Sequence, residues 1–290
     1  MNLLNKIFLK LKDPEGYKNR LFLEKIPIHP IVDVGDKAEY HFKHSGNAGD
    51  IIYALPTIFQ LSHSKPIHLH LQTGQPGKYG IAGHPLGNIM LNDNMVEMLS
   101  PLLLAHPKIK TCDKYSNQPI DYDLDYIRKY PFQLNKGNII HWYFWAFGVS
   151  ANESKPWLNI VPDFSFNNAI VLARSKRYNS PGVQFSFLNK YERIVFIGVN
   201  EEYELMKKQI PALQFQPVKN FLEMATIIAG SRLFIGNQSF PFAIAEALKV
   251  KRVLEVYFQS PNVAVSGSNG WEFCFQPQFE KIVSNLMIGN

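Results

Sequence analysis

The chain has 290 residues, of which 46% are hydrophobic and 19% charged, and its formal net charge is +6. This composition is typical of a globular protein of about two domains and excludes an intrinsically disordered chain. The positive charge favours an anionic ligand or membrane surface, whereas the basic residues form no dense block of the kind that binds nucleic acid.

The N-terminal segment predicts a short amphipathic helix. Its apolar residues share one face at helical spacing, with lysines between them: Leu3, Leu4, Ile7 and Leu11. The segment is too short and too charged for a signal peptide, so we expect a cytoplasmic protein. We expect the apolar face to pack on the body of the protein. The alternative is peripheral contact with an anionic membrane, at its inner face.

The first α/β unit begins at Ala38. Alternation over 38–42 predicts a strand, and apolar residues from Ile51 onward predict a helix. The turn between them is rich in small and polar residues and places a carboxylate at the helix start: Ser45, Gly46, Asn47, Gly49 and Asp50. A helix start presents free backbone N–H groups, and glycine allows close approach, so this turn is a candidate anion site.

Strands and helices continue to alternate along the chain. We predict a strand at 67–72, a glycine-rich loop at 73–88, and helices at 94–104 and 138–149, the second of them aromatic and buried. After a linker at 152–158, strands at 169–173, 193–197, 213–215, 233–235 and 252–255 alternate with helices at 201–209, 221–229 and 240–248, and a last helix covers 278–287. Such alternation implies βαβ units and parallel sheets.

A second candidate site follows the strand at 233–235. Gly236, Asn237, Gln238 and Ser239 form a polar turn before an alanine-rich helix, and this arrangement could bind a diphosphate. The alternative is that Ser239 only caps the helix and Gly236 only turns the chain.

Two further turns carry charge at strand ends. Arg174 and Arg177 follow the strand at 169–173 and could clamp phosphate, unless the turn is simply a solvated basic one. Gly198 precedes an acidic helix start, which is also typical of an ordinary capped helix. Glu246 and Glu255 could each hold a ribose, or could be paired in salt bridges.

Several kinds of site are excluded or disfavoured. The sequence has no Walker A loop, no Gly-x-Gly-x-x-Gly and no Gly-x-Ser-x-Gly. His68 and His70 alternate on one strand, and we interpret them as structural because no further ligands stand nearby in the sequence. The acidic run at 121–125 lacks the glycine and closing glutamate of a calcium loop. We therefore predict no metal and no cofactor.

Two segments together resemble the GT-B glycosyltransferases, in particular the heptosyltransferase-like family 9. They are the stretch from Gly49 through Asp50 to Pro56, and the strand–turn–helix from Phe234 to Leu248. The resemblance implies two Rossmann-like α/β domains facing across a cleft. We place an N-terminal extension at 1–36, an acceptor-side domain at 37–160, a nucleotide-sugar domain at 161–275 and a C-terminal helix at 276–290.

The resemblance also implies a reaction, the inverting and metal-independent transfer of a sugar from a nucleotide diphosphate to a glycan or lipid-linked acceptor. Asp50 would be the base, and Glu246 would hold the ribose. The diphosphate seat would comprise Asn237, Gln238, Ser239, Arg174 and Arg177. The turn at 238–242 lacks the glycine and histidine usual in the family, so the donor is left open. The alternatives are a sugar-nucleotide epimerase on the same fold and an inactive binding or scaffold protein.

Overall fold

A computed structural model describes residues 2–24, 34–77, 79, 83–130 and 132–288. Parts of the predicted N-terminal extension at 1–36 and of the glycine-rich loop at 73–88 lie outside these residues. The elements are, in chain order, α1 Leu3–Lys12, α2 Pro14–Leu23, β1 Tyr40–His44, α3 Ala48–Leu61, β2 Ile67–Leu71, α4 Asp93–Leu104, β3 Ile109–Lys114, β4 Tyr122–Asp123, α5 Ile139–Phe147, β5 Ile170–Ala173, β6 Ile194–Phe196, α6 Asn200–Lys207, β7 Gln214–Phe215, α7 Phe221–Gly230, β8 Leu233–Asn237, α8 Phe240–Leu248, β9 Arg252–Glu255, β10 Gly270–Phe273 and α9 Gln276–Ile288.

The described strands form two parallel sheets. The first has the order β3-β2-β1-β4 and the second the order β10-β9-β8-β5-β6-β7. In each sheet the chain moves outward in one direction and then returns to the other side of the first strand. The strand order therefore reverses between β1 and β4, and between β5 and β8. Open α/β sheets bind ligands beyond the strand ends at such points.

The two sheets differ in how their faces are covered. Strands β5 and β8 are buried along their whole length, with α6 and α9 on one face and α7 and α8 on the other. In β1, buried residues alternate with half-exposed polar ones, so one face packs on α3 and α5 and the other presents polar side chains. Parallel sheets are usually covered on both faces, which makes this polar face unusual.

A continuous apolar core connects the two sheets. It passes from Phe42 and Ile52 through α3 and α8 to Val171 of the second sheet. Trp157, in the predicted linker, is buried here and donates its indole N–H to the carbonyl of Ile52 (3.1 Å). Only the end of the predicted linker, at Trp157 and Leu158, is buried in this core, and most of the residues from 152 to 156 are exposed.

Most predicted elements occur within a few residues of their predicted bounds, but α2, β3, β4 and β10 were not predicted. The aromatic helix is α5; it buries Tyr143 and Phe147, whereas Trp142 and Trp145 are half-buried. None of the helices in the described parts of the chain is long and apolar enough to cross a bilayer.

The predicted packing of α1 on the body of the protein is wrong. Its apolar side chains are largely exposed, from 49% for Ile7 to 78% for Leu11, and no residue of α1 is buried. Its contacts in the described structure are mainly with α2. The sequence pattern correctly predicted the helix but not what its apolar face contacts.

Candidate functional site

A cavity of about 730 Å³ lies where the reversal points of the two sheets meet. Its wall includes the start of α3, the start of α8, the segment after β4 and the turn after β5. Both halves of the chain therefore line it. The volume lies in the range of small-molecule sites, which are commonly about 300–1,000 Å³.

Asp50 lies in the first turn of α3 and faces this cavity. Its side chain is 23% exposed, and Arg128 contacts its carboxylate at 3.3 Å. Burial raises the pKa of Asp50, and the positive charges of Arg128 and Arg177 offset this only in part. A carboxylate of raised pKa next to a cavity is suited to accept a proton.

Arg128 is held by a second carboxylate, Asp125, through an ion pair in the 3-10 helix after β4. Asp125 also accepts the backbone N–H of Ser45 (3.1 Å). Burial opposes ionisation of Asp125, but His44, Arg128 and the Ser45 hydrogen bonds outweigh it and lower the pKa of Asp125. The acidic run at 121–125 thus positions a cation beside Asp50.

The turn after β1 is fixed by a buried histidine. Burial lowers the pKa of His44 to about 3, so the ring is neutral. The N–H of Gly46 donates to Nδ1 (2.9 Å), so Nε2 carries the proton and donates to the hydroxyl of Tyr143 (2.6 Å). A Cβ at Gly46 would collide with Arg128 and would lie 2.9 Å from Asp50 Oδ2. This glycine is required for the close approach of Arg128 to Asp50.

Asn47 and Gly49 line the same cavity. The side-chain oxygen of Asn47 accepts the hydroxyl of Tyr79 (2.5 Å), which ties the turn to the loop after β2. At Gly49 a Cβ would be 3.8 Å from the Cα of Phe240, an ordinary contact. The starts of α3 and α8 therefore adjoin each other at Gly49.

Three of the residues predicted in the second half line the cavity, namely Arg177, Gln238 and Ser239. The guanidinium of Arg177 lies over the ring of Tyr79, 5.0 Å from its centroid. Among the residues that the structure describes, no carboxylate is within ion-pairing distance of Arg177. Ser239 is the N-cap residue of α8, but its side chain makes no capping hydrogen bond.

Asn237 is buried and does not line the cavity. Its amide nitrogen donates to the carbonyls of Arg177 (2.6 Å) and Ser175 (3.0 Å), and its oxygen accepts the N–H of Ser175 (3.0 Å). Asn237 therefore holds the turn at 174–177, called here the basic turn, in place. The effect of Asn237 on a ligand would be exerted through Arg177.

Arg174, Glu246 and Gly198 do not line the cavity. Arg174 makes two hydrogen bonds of 2.7 Å to the buried Glu255. Glu246 is a residue of α8, is 1% exposed, and forms an ion-paired cluster with Lys249 and Arg252. Neither the phosphate role predicted for Arg174 nor the ribose role predicted for Glu246 is supported, because other groups already satisfy both side chains.

Gly198 adopts φ = +143° in the turn after β6. The carboxylate of Glu202, in the first turn of α6, accepts the N–H of Lys176 (3.2 Å). The start of α6 therefore holds the backbone of the turn after β5.

The sequence reasoning missed Arg128 and Tyr79. Arg128 follows a strand of only two residues, which carries almost no periodic signal. The available clue was the acidic run before it, since clustered carboxylates are paired with cations when they are partly buried. Tyr79 lies in an irregular loop, where pattern gives no indication of contact with Asn47.

Comparison with known proteins shows similarity at the level of the fold. No protein-family model and no curated protein matches the sequence. The solved structure of E. coli heptosyltransferase WaaC with ADP-2-deoxy-2-fluoro heptose aligns with a TM-score of 0.52 at 10% identity, covering 85% of this chain and 99% of WaaC.

Two other structures are similar. The iron-containing dodecameric glycosyltransferase TibC from enterotoxigenic E. coli H10407 aligns with a TM-score of 0.54 at 15% identity, over 82% of this chain and 63% of TibC. A family 9 glycosyl transferase from Veillonella parvula aligns with a TM-score of 0.51 at 12% identity, over 89% of this chain and 93% of the Veillonella chain. The chain therefore has a heptosyltransferase-like fold, and the predicted resemblance is confirmed at that level.

Proposed function

We propose that this protein is a glycosyltransferase that moves a sugar from a nucleotide diphosphate to an acceptor hydroxyl. The observation that carries the proposal is the cavity that Asp50 shares with Arg177 and the start of α8, in a fold like that of enzymes solved with ADP-linked heptose or ADP. The two Rossmann-like halves would form the two lobes of a GT-B cleft, with the acceptor on the side of β1.

Asp50 would act as the general base. Its ionised carboxylate would accept the proton of the acceptor hydroxyl while that oxygen attacks the anomeric carbon from the face opposite the leaving diphosphate. This single displacement inverts the anomeric configuration. The raised pKa of Asp50 makes its carboxylate a stronger base than an exposed aspartate.

The leaving diphosphate would be stabilised by Arg177 and by the helix start at Ser239. Arg177 lacks a carboxylate partner among the described residues, so its charge is available to phosphate oxygens. Helix-start amides add a favourable dipole. These groups supply the positive charge that a metal ion supplies in other transferases, and we propose a metal-independent reaction on that ground.

The acceptor would be a glycan or a lipid-linked sugar in cell-surface glycan synthesis. Helix α1 supports this assignment, because it exposes an apolar face and carries only basic charges, at Lys6, Lys10 and Lys12. Such a helix can lie on an anionic bilayer from the cytoplasmic side and bring the cavity near a lipid-linked acceptor.

The proposal is tested by donor turnover. The full chain is incubated with ADP-, UDP-, GDP- and dTDP-linked sugars and a mixture of glycan acceptors, and release of the nucleoside diphosphate is measured. We expect release from one donor class, and its loss in Asp50→Asn. No release from any donor would favour a binding or scaffold protein, and conversion of the sugar without release would indicate an epimerase.

A further inference from the structure

The polar face of the first sheet carries a compact group of histidines. The parallel register places His41 of β1 opposite His68 of β2, and places Thr111 and Asp113 of β3 opposite His68 and His70. All of these side chains project from the face that α3 does not cover. They lie on the far side of the sheet from the apolar core and take no part in the cavity described above.

Glu39, just before β1, completes the group. Its two carboxylate oxygens lie 3.1 Å from Nε2 of His68 and 3.7 Å from Nε2 of His41. One ligand atom from each of these residues lies within 4.8 Å of the others. Two imidazole nitrogens and one carboxylate are therefore close neighbours at the protein surface.

The opposite nitrogen of each ring is anchored. Nδ1 of His70 is 3.0 Å from Asp113 and must donate to it, which leaves Nε2 of His70 to accept from Nδ1 of His41 (3.0 Å). Nδ1 of His68 contacts the hydroxyl of Thr111 (3.0 Å). When the His41 ring is neutral, this relay leaves Nε2 of His41 as an acceptor that faces the carboxylate of Glu39. A cation between these two acceptors would satisfy both.

We propose that Glu39, His41 and His68 bind a divalent transition-metal cation, with Zn²⁺ as the best match to this ligand set. Two imidazoles and a carboxylate are a common zinc ligand set, and water would fill the fourth position. The rings of His41 and His68 are stacked with centroids 4.6 Å apart, so both would tilt to direct their lone pairs at one ion. The second ring nitrogens of His41 and His68 are held by His70 and Thr111, and such outer partners orient the ligands of a metal site.

This site revises the structural role inferred for His68, whereas His70 keeps a structural role as the partner of His41. That role was preferred because no further ligands stood nearby in the sequence, and the fold supplies them from Glu39 and His41. The cation would bridge the segment before β1 to β2. The proposal is independent of the proposed function, because its test measures metal binding and no sugar transfer.

Calorimetric titration of the untagged full chain with Zn²⁺ tests the site. We expect one ion per chain, with binding lost in Glu39→Gln, His41→Gln and His68→Gln. Asp113→Asn is expected to weaken the affinity less than the loss of a ligand does, because Asp113 acts on His41 only through His70.

The matched control is His141→Gln. His141 pairs with Glu153 at 2.7 Å on the protein surface but belongs to no metal-binding group among the described residues, so its loss should leave the affinity unchanged. Glu39 is exposed and lies outside the strands, so its variant remains informative if a histidine variant misfolds. Absence of binding, or equal binding by the wild type and Glu39→Gln, would overturn the proposal.

Discussion

At the scale of single residues, Asp50 and Asp125 form an instructive pair. Both are partly buried and both contact Arg128. Burial raises the pKa of Asp50, whereas for Asp125 the neighbouring groups outweigh burial and the pKa is lowered. A carboxylate with a lowered pKa stabilises the folded state when it is ionised, whereas ionisation of a carboxylate with a raised pKa destabilises the folded state. Asp50 is therefore the better candidate for chemistry.

Replacing these two carboxylates should separate activity from stability. Asp50→Asn should reduce sugar transfer about 100- to 10,000-fold, the usual contribution of a general base. Its midpoint of thermal unfolding at neutral pH should not fall, because ionisation of a group with a raised folded-state pKa opposes folding above its unfolded pKa.

Asp125→Asn provides the comparison for thermal unfolding. The lowered pKa of Asp125 stabilises the fold above the unfolded pKa, and this contribution is lost as the pH falls. Its variant should unfold at a lower temperature than the wild type at pH 7, with a smaller difference in acid. A greater loss of stability in Asp50→Asn than in Asp125→Asn would contradict the assignment.

The pH dependence of the reaction should report on Arg128. In a plot of kcat/KM against pH, the rise on the acid side, or acid limb, follows the pKa of the base in the free enzyme. The charge of Arg128 lowers the pKa of Asp50, so Arg128→Gln should move this limb to higher pH. Steady-state rates across pH would show the shift. An unchanged limb would mean that Asp50 is not the titrating base.

At the scale of elements, the turn after β1 depends on one glycine. Gly46→Ala places a methyl group where the guanidinium of Arg128 lies, and the guanidinium must move away from Asp50. We therefore expect the same upward shift of the acid limb as in Arg128→Gln. Gly49→Ala is the control for thermal stability, since its added carbon meets only ordinary contacts at 3.8 Å and beyond. An unshifted acid limb in Gly46→Ala would show that the turn accommodates the added methyl group without moving Arg128 away from Asp50.

The basic turn after β5 contains two arginines with different expected roles. Arg177→Gln should weaken nucleoside diphosphate binding about 10- to 100-fold with little change in stability, since a hydrogen bond to a charged group contributes about 1.5–3 kcal/mol.

Arg174→Gln should instead destabilise the fold by about 3–5 kcal/mol, because it leaves the buried Glu255 without its cation. Calorimetric titration and chemical unfolding distinguish the two effects. If Arg174→Gln weakened nucleotide binding and left stability intact, the two roles would have to be exchanged.

Sequence pattern predicted long, strongly periodic elements best. The bounds of α8 and β9 were predicted to the residue, because apolar runs and clear turns delimit both. Strands β3, β4 and β10 were missed because edge strands bury few residues, and β4 has only two. Their identity depends on tertiary pairing, which periodicity does not record.

The candidate site was predictable where the turn chemistry is local. Asp50 and Ser239 each stand at a helix start that follows a strand, and both line the cavity. Arg174 and Arg177 are indistinguishable in sequence, and only the fold shows that Glu255 pairs with one of them. For Glu246 the sequence left a ribose contact and a salt bridge open, and the fold favours the salt bridge through Arg252, six residues further along the chain.

At the scale of the whole molecule, α1 presents an apolar face that the described residues leave exposed. Its exposed apolar face and its lysines are expected to bind vesicles that contain anionic lipid and to bind zwitterionic vesicles more weakly. Replacement of Leu4, Ile7 and Leu11 by serine should abolish co-sedimentation with anionic vesicles and leave the thermal midpoint of the body unchanged. Equal co-sedimentation of the wild type and the triple variant would exclude α1 as the contact.

The two halves of the molecule meet through a shared apolar core and a shared cavity. A ligand that bridges Asp50 on one side and Arg177 on the other would therefore contact both sheets. Such a ligand should stabilise the chain as a whole, since it binds the folded state and not the unfolded one.

Thermal unfolding in the presence of UDP, ADP, GDP and dTDP tests the central claim most directly, with the wild type and Arg177→Gln measured side by side. A ligand at about 100 times its dissociation constant adds about 2.7 kcal/mol, or several degrees for a chain of this size. We expect one nucleoside diphosphate to raise the midpoint of the wild type, with a smaller rise in the variant. No rise with any of the four, or an equal rise in both proteins, would contradict a nucleotide-sugar site in this cavity.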